Sequence, residues 1–357
     1  MHPHTVNKEY LPRLVAWEVT RRCNLKCKHC RAAACDKEYP DEFTTEECKK
    51  VLDNIASLNK CIIILTGGEP MMRDDIYEIA KYGNSLGLRM VMAPCGHLLN
   101  ETAAKKLIEC CIQRISLSID GADASTHDSF RNEIGAFDAV VKASQVAKKV
   151  GLEFQVNTTI TKYNYKQLDQ IFQLSIDLGA VSYHPFLLVP TGRGKDMADF
   201  EISPEEYEQV LTWVYERSLD APIHLKPTCA PHYYRIYRQK EKQAGRPVTP
   251  QTHGLNAMSK GCMGGQSFAF VSHTGKVQIC GFLEEEAGDI RKEKYDFKKI
   301  WNTSPLFTDM RDLDHYHGKC GYCEFRRVCG GCRARAFATS GHYLDEEPYC
   351  IYEPKAK

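Results

Sequence analysis

The first half of the chain alternates short apolar, often β-branched runs with longer stretches that read as helices. Val15-Ala16-Trp17-Glu18-Val19-Thr20 reads as a strand that runs straight into a group of cysteines. A helix is predicted from about Thr44 to Leu58, where Thr44 and Glu47 have the spacing of a capping box. Cys61-Ile62-Ile63-Ile64-Leu65 is short, unbroken and β-branched, as expected of a strand buried on both faces of a parallel sheet. Further strands are predicted near Leu88–Ala93, Ile115–Ile119, Glu153–Thr159 and Val181–Val189. Helices fall between them, near Asp74–Leu86, Glu101–Cys111, Phe137–Val150 and Tyr165–Leu178.

This gives six βα units around a parallel sheet, with right-handed crossovers. Six units are two short of a closed eightfold barrel, so the predicted fold is α/β: a partial (β/α)6 TIM-type barrel. In such folds chemistry sits at the C-terminal ends of the strands. Pro190-Thr191-Gly192-Arg193-Gly194 breaks the alternation, and Ser203-Pro204-Glu205-Glu206 opens another helix. The polar, basic stretch from Arg235 to Thr252 reads as a link to a second module. From about Leu255 the pattern becomes short strands, tight glycines and dense cysteines. The expected division is a tail over 1–11, the barrel over 12–195, a helical bridge over 196–254 and a cysteine-rich domain over 255–357.

Composition narrows the function classes. Lys and Arg (47) nearly balance Asp and Glu (46) in 357 residues, so no electrostatic argument favours nucleic acid or a membrane surface. No run of about eighteen apolar residues predicts a spanning helix. The segment MHPHTVNKEYLPR lacks the apolar core of a secretory signal, so a cytoplasmic location is expected. Seventeen cysteines are the outlier. A chain this long needs no disulfide staples, and in a reducing compartment clustered thiols point to metal.

Cys23-x3-Cys27-x2-Cys30 places three thiolates in the loop after the first strand. Three ligands on a cubane leave one iron open to a chelating small molecule. Zinc is the alternative, and it wants a fourth protein ligand nearby; His29 and Cys35 are present but poorly spaced. The second strand ends in Thr66-Gly67-Gly68-Glu69-Pro70, where glycines permit close backbone approach and Glu69 can offset an ammonium charge. A second cysteine group contains Cys262, Cys280, Cys320-x2-Cys323-x5-Cys329-x2-Cys332 and Cys350. Two structural zinc sites are its alternative, since thiolates suit both metals. Cys35, Cys48, Cys61, Cys95, Cys110 and Cys111 lack ligand-like spacing and read mostly as core thiols.

With these residues in place, the N-terminal half resembles the radical S-adenosylmethionine (SAM) superfamily. The C-terminal spacing resembles its auxiliary-cluster domain, SPASM, although two residues rather than the usual three separate Cys329 and Cys332. The resemblance implies a SAM-binding [4Fe-4S] cluster on Cys23, Cys27 and Cys30, with SAM held by Gly67, Gly68, Glu69, Pro70, Ser118, Arg131, Asn157 and Leu188. His29 stands where many members carry an aromatic ring near the adenine. One or two auxiliary [4Fe-4S] clusters are implied. Cys320, Cys323, Cys329 and Cys350 would hold one, and Cys262, Cys280 and Cys332 the other. Cys229 is the candidate for the missing ligand, with an acid/base role or a plain buried thiol as alternatives.

Pro12–Thr20, Arg31–Ala34, Leu188–Gly194 and Thr228–Arg235 resemble the heme-biosynthesis branch of SPASM proteins. That branch implies oxidative decarboxylation of two propionates of iron-coproporphyrin III to vinyl groups, giving heme b, through a 5′-deoxyadenosyl radical. The implied partners are the tetrapyrrole and an electron donor such as ferredoxin or flavodoxin, acting on a monomer. A tetracarboxylate macrocycle calls for cationic anchors. Arg193, Lys226, His232 and Arg235 are the candidates, with Lys195, Arg238, Tyr233 and Tyr234 near them. The competing readings are a sibling tetrapyrrole enzyme (didecarboxysiroheme deacetylation or heme d1 formation), a peptide or protein modifier, and a non-catalytic electron-transfer or metal-storage protein.

Overall fold

The β-branched runs form the strands their patterning predicts. In the computed structural model, which describes residues 10–249, 251 and 260–355, these are β1 (Leu14–Thr20), β2 (Ile62–Gly67), β3 (Arg89–Met92), β4 (Ile115–Ser118), β5 (Phe154–Ile160) and β6 (Ser182–Leu187). Each pairs in parallel with the next. Residues 1–9 of the tail expected over 1–11, and the boundary at 254/255, lie outside the described residues. Helix α1 (Thr45–Leu58) starts on the predicted capping box, with Thr44 Oγ1 accepting from the Glu47 N–H and the Glu47 carboxylate accepting from the Thr44 N–H. Helices α2 (Ile76–Ser85), α3 (Glu101–Glu109), α4 (Ala124–Arg131), α5 (Ala136–Val150) and α6 (Leu168–Leu178) make the other crossovers. The helix predicted to open at Ser203 is α7 (Pro204–Ser218), and it too carries a capping box.

The sheet is wider than the six predicted strands. A two-residue strand, β7 (His224–Leu225), continues it in parallel beyond β6. On the other side β8 (Phe268–Val271) pairs in parallel with β1, aligning Leu14 with Phe268 and Trp17 with Val271. Eight parallel strands thus run in the order β8-β1-β2-β3-β4-β5-β6-β7, and the antiparallel β9 (Lys276–Gln278) and β10 (Gly288–Asp289) extend the β8 end. β7 is too short to show a period, and β8 is an apolar run whose partner lies about 250 residues earlier. Within the expected helical bridge the stretch from Arg235 begins as helix α8 (His232–Gln243), whose Tyr233 and Ile236 are buried although half of its residues are lysine, arginine or glutamine.

Alternation along the strands separates two faces. Val15, Trp17, Ile63, Leu65, Met90, Met92, Ile115, Leu117, Phe154, Val156 and Tyr183 join the helices in one apolar core. The opposite face, toward the barrel interior, carries Glu18, Thr20, Thr66, Ser118, Asn157 and His184. Polar chemistry is thereby confined to the interior and to the strand ends. Among the described residues no helix is long and apolar enough to cross a membrane.

Arg291 ties the C-terminal part to the barrel. It pairs with Glu47 at 3.0 Å, donates to the carbonyls of Asp41 and Glu42, and lies over the Phe43 ring. The hydrogen bond from Arg291 pulls the Glu47 carboxyl down to about 2. A depressed carboxyl contributes stability above its unfolded value of 4.5 that is lost as pH falls toward 2. The thermal midpoint of the parent should therefore fall between pH 4.5 and 2.5 more steeply than that of Glu47→Gln, and parallel curves for the two would remove this joint from the account.

Candidate active site

The loop after β1 is seated by backbone contacts. The N–H groups of Gly68 and Glu69 donate to the carbonyls of Thr20 and Arg22 at 2.8 Å. A Cβ on Gly67 would lie 2.0 Å from the Thr20 oxygen, and one on Gly68 would lie 2.2 Å from the Arg22 oxygen. The paired glycines therefore admit the cysteine loop itself, where close approach to a ligand was expected. Glu69 is fully buried, and its two oxygens accept from the N–H groups of Met71 (2.8 Å) and Cys95 (2.5 Å). Burial raises its pKa. Its carboxylate fixes the ends of β2 and β3, and each oxygen keeps a lone pair able to accept from an ammonium. Pro70 is buried beside it.

Cys23 and Cys27 are buried and Cys30 is half-buried in this loop. The Leu25 N–H donates to the Cys23 sulfur at 3.4 Å, and burial pushes the Cys23 thiol up to about 12. Arg193 was expected to meet the substrate. Its Nε donates to the Cys27 carbonyl (2.8 Å) and its Nη1 to the Ala34 carbonyl (2.7 Å), so it clamps the loop instead. The neighbouring Gly192, at φ +56°, lets this strap touch the Arg31 carbonyl.

Arg131 was expected to contact a ligand carboxylate. It is paired with the buried Asp120 at 2.5 Å, and its Nη1 lies 3.6 Å from the Cys27 sulfur, which leaves only Nε without a partner. His29 stacks on Phe130 at 4.3 Å, and burial holds it well below its ordinary pKa. Phe130 also packs with Leu188, Met197 and Phe200. A planar apolar floor thus adjoins the cysteine loop. Cys95, read as a core thiol, packs against the loop, with His97 Nδ1 3.7 Å from its sulfur.

Ser118 and Asn157 face each other across β4 and β5, and Asn157 faces His184 across β5 and β6. Gln155 Nε2 donates to Asn157 Oδ1 (2.9 Å) and lies 3.3 Å from His184 Nδ1. The backbone of Lys226 bonds to the Tyr183 carbonyl, which continues this row to a fourth side chain. Burial lowers the pKa of both Lys226 and His184, the latter to about 3 with Lys226 as the next cause. Gln155 and His184 gave no signal in the sequence beyond lying on predicted strands.

The C-terminal cysteines fall into two groups. Cys320, Cys323, Cys329 and Cys350 line one pocket. Three of their sulfurs accept backbone N–H bonds at 3.4 Å, from Phe325 to Cys323, Gly331 to Cys329 and Glu347 to Cys320. Cys229 is half-buried, and its thiol is pushed well above the ordinary range by desolvation, then by Cys332 and Cys280, with Cys262 also raising it. Those three thiols therefore lie near Cys229. All seventeen cysteines are free of disulfides. Converging thiols with backbone N–H donors aimed at sulfur fit iron–sulfur clusters.

Two further predicted anchors lie at the first of these groups. His232 and Arg235 both line its pocket. Arg235, only 3% exposed, pairs with Glu208 and donates to Gln239, so it is neither a solvated helix position nor an anchor in the barrel. Arg335 and Glu347 were not singled out in the sequence. Both are fully buried, paired at 3.2 Å, and Arg335 also donates to the carbonyls of Leu188 and Cys229.

A three-cysteine loop after the first strand, a GGEP turn and a cysteine-dense C-terminal part together define a radical SAM enzyme with an auxiliary iron–sulfur domain. The Radical SAM superfamily model matches residues 17–175, and that of the SPASM iron–sulfur cluster-binding domain matches 262–332. AdoMet-dependent heme synthase from Methanosarcina barkeri is 50% identical over 346 residues, 97% of this chain and 98% of that one. AdoMet-dependent heme synthase from Oleidesulfovibrio alaskensis is 49% identical, over 97% of this chain and 88% of that one. The chain belongs to the AdoMet-dependent heme synthase family. Its fold is similar to that of Streptococcus suis SuiB bound to S-adenosylmethionine, with TM-score 0.77 and 16% identity over 97% of this chain and 79% of that one.

Proposed function

We propose that this chain removes two propionate carboxyl groups from iron-coproporphyrin III, leaving vinyl groups and giving heme b. The supporting observation is Lys226. It is the one member of the four nominated anchors that stays on the barrel wall, and it has no ion-pair or hydrogen-bond partner for its ammonium among the described residues. An unpaired cation half-hidden from water is costly unless an anion meets it. A substrate carboxylate supplies that anion, in the same row as Ser118 and Asn157.

Cys23, Cys27 and Cys30 would hold the SAM-binding cluster, and the His29–Phe130 stack would lie against the adenine. Bound there, SAM and the reduced cluster supply a 5′-deoxyadenosyl radical able to take an unactivated hydrogen. Lys226 and neutral His184 hold a carboxylate, and Gln155 fixes the imidazole. The apolar floor of Phe130, Leu188 and Met197 excludes water from the reacting face. Each propionate gives up one hydrogen atom from its β-carbon, one carbon dioxide and one electron.

The test is an anaerobic assay of reconstituted enzyme with SAM, reductant and iron-coproporphyrin III, followed by mass. Two successive mass losses, each of carbon dioxide and two hydrogens (the β-hydrogen atom and the acid proton), with 5′-deoxyadenosine formed alongside, support the reading. Unchanged porphyrin with 5′-deoxyadenosine formed removes the substrate and leaves the class. In Lys226→Met the dissociation constant for iron-coproporphyrin III should rise about 10- to 100-fold, the worth of one charge-assisted hydrogen bond. SAM cleavage without porphyrin should stay at the parent rate.

A further inference from the structure

His232 was nominated as a substrate group, yet it forms part of the wall around Cys320, Cys323, Cys329 and Cys350. The ring has no exposure to solvent, and neither of its nitrogens has a hydrogen-bond partner in the protein. The nearest carboxylate oxygen, on Glu347, is 3.8 Å from Nε2, beyond hydrogen-bond reach. Tyr207 covers the ring at 4.9 Å between centroids. A buried N–H left without an acceptor costs about 1–3 kcal/mol, so a ring held here needs an acceptor. The group that four converging thiols gather is the acceptor at hand.

We propose that His232 is a positioning residue of this outer auxiliary site. Its ring N–H donates to a sulfur of the bound cluster and raises that cluster's reduction potential above that of the inner cluster on Cys229, Cys262, Cys280 and Cys332. The outer cluster is then the end point for the electron that each decarboxylation leaves. The inference rests on the ligand assignment and the oxidative reaction proposed above.

The surroundings act in the same direction. Hydrogen bonds to sulfur stabilise the more negative, reduced state of a cluster, and nearby cations do the same. Arg333 Nη2 lies 3.8 Å from the Cys320 sulfur, and Lys319 Nζ donates to the Cys350 carbonyl at 2.5 Å. Arg235 and Arg326 also line the pocket but are paired with Glu208 and Asp314, and Glu347 lines it as well. The inner group faces Arg335, whose charge is offset by Glu347 at 3.2 Å. Arg333, held by the carbonyls of Tyr343 and Asp345, is the cation of the outer site that no carboxylate pairs among the described residues, whereas the inner group shares the neutralised Arg335–Glu347 pair.

The experiment is a potentiometric titration of the reconstituted holoenzyme followed by electron paramagnetic resonance. The outer signal is identified as the one disturbed in Cys323→Ala. In His232→Ala the reduced-to-oxidised ratio of that signal, at a fixed ambient potential, should fall at least tenfold, which is 59 mV for one electron. His232→Asn, which keeps an N–H donor, should recover most of the shift, and iron content and the inner signal should match the parent. An unmoved outer potential in His232→Ala with full iron overturns the inference. Loss of the outer cluster's iron in both variants also overturns it, because the residue then holds the cluster rather than tunes it. A parent in which Cys323→Ala disturbs no signal refutes the ligand assignment itself, a separate failure.

Discussion

Gly68→Ala is expected to empty the N-terminal cluster site while the C-terminal clusters stay. The added methyl carbon would lie 2.2 Å from the Arg22 carbonyl oxygen and 2.6 Å from that of Arg21. Both obstacles are backbone, so no side chain can swing aside. Overpacking of this kind costs about 1–3 kcal/mol when neighbours can shift, and here the shift must displace the loop that begins at Cys23. A displacement near 1 Å at a reacting centre costs on the order of a hundredfold in rate. Iron analysis should therefore show loss of one cluster's share, with 5′-deoxyadenosine formation down about a hundredfold. Full iron content and parent-like SAM cleavage would mean that the glycine pair is not what seats the loop.

Arg335→Met should be the most destabilising single change away from the cysteines. It leaves Glu347, fully buried, beside Cys332 and Cys320 without its cation. Breaking one partner of a buried pair costs about 3–5 kcal/mol, whereas removing both charges is often near neutral. The guanidinium also holds the Leu188 and Cys229 carbonyls; Tyr207 still donates to the second at 3.0 Å, so the Leu188 oxygen is the one that loses its partner. The thermal midpoint of the reconstituted protein should drop sharply in Arg335→Met and recover in part in Arg335→Met/Glu347→Gln. If the double variant is no more stable than the single one, the cost lies in the lost carbonyl contacts and not in the stranded charge.

Local pattern carried the barrel. β1, β2 and β5 are short runs rich in β-branched residues, and the capping boxes at Thr44 and Ser203 announced α1 and α7. The metal chemistry was legible because ligand spacing within a loop is local too. Pairing over long separations was not. β8 reads as an ordinary apolar tetrapeptide until Leu14 is seen opposite Phe268.

Charge was the least legible property. Arg235 and His232 line a cavity, and Arg193 lies against the cysteine loop. What separates them from Lys226 is which carbonyl, carboxylate or thiol each one meets, and those partners lie 27 to 166 residues away. Glu347 and Arg335 gave no signal because a buried ion pair has no periodicity.

The seam between β1 and β8 also bears on how the chain is made. Synthesis delivers β1 first, and its free edge waits until Val271, about 250 residues later, has left the ribosome. Until then a strand ending at the cysteine loop offers unpaired backbone groups to any neighbour. Cells that produce this protein in quantity therefore have reason to shield the nascent N-terminal half, and truncated products ending before Phe268 should be the fraction that aggregates.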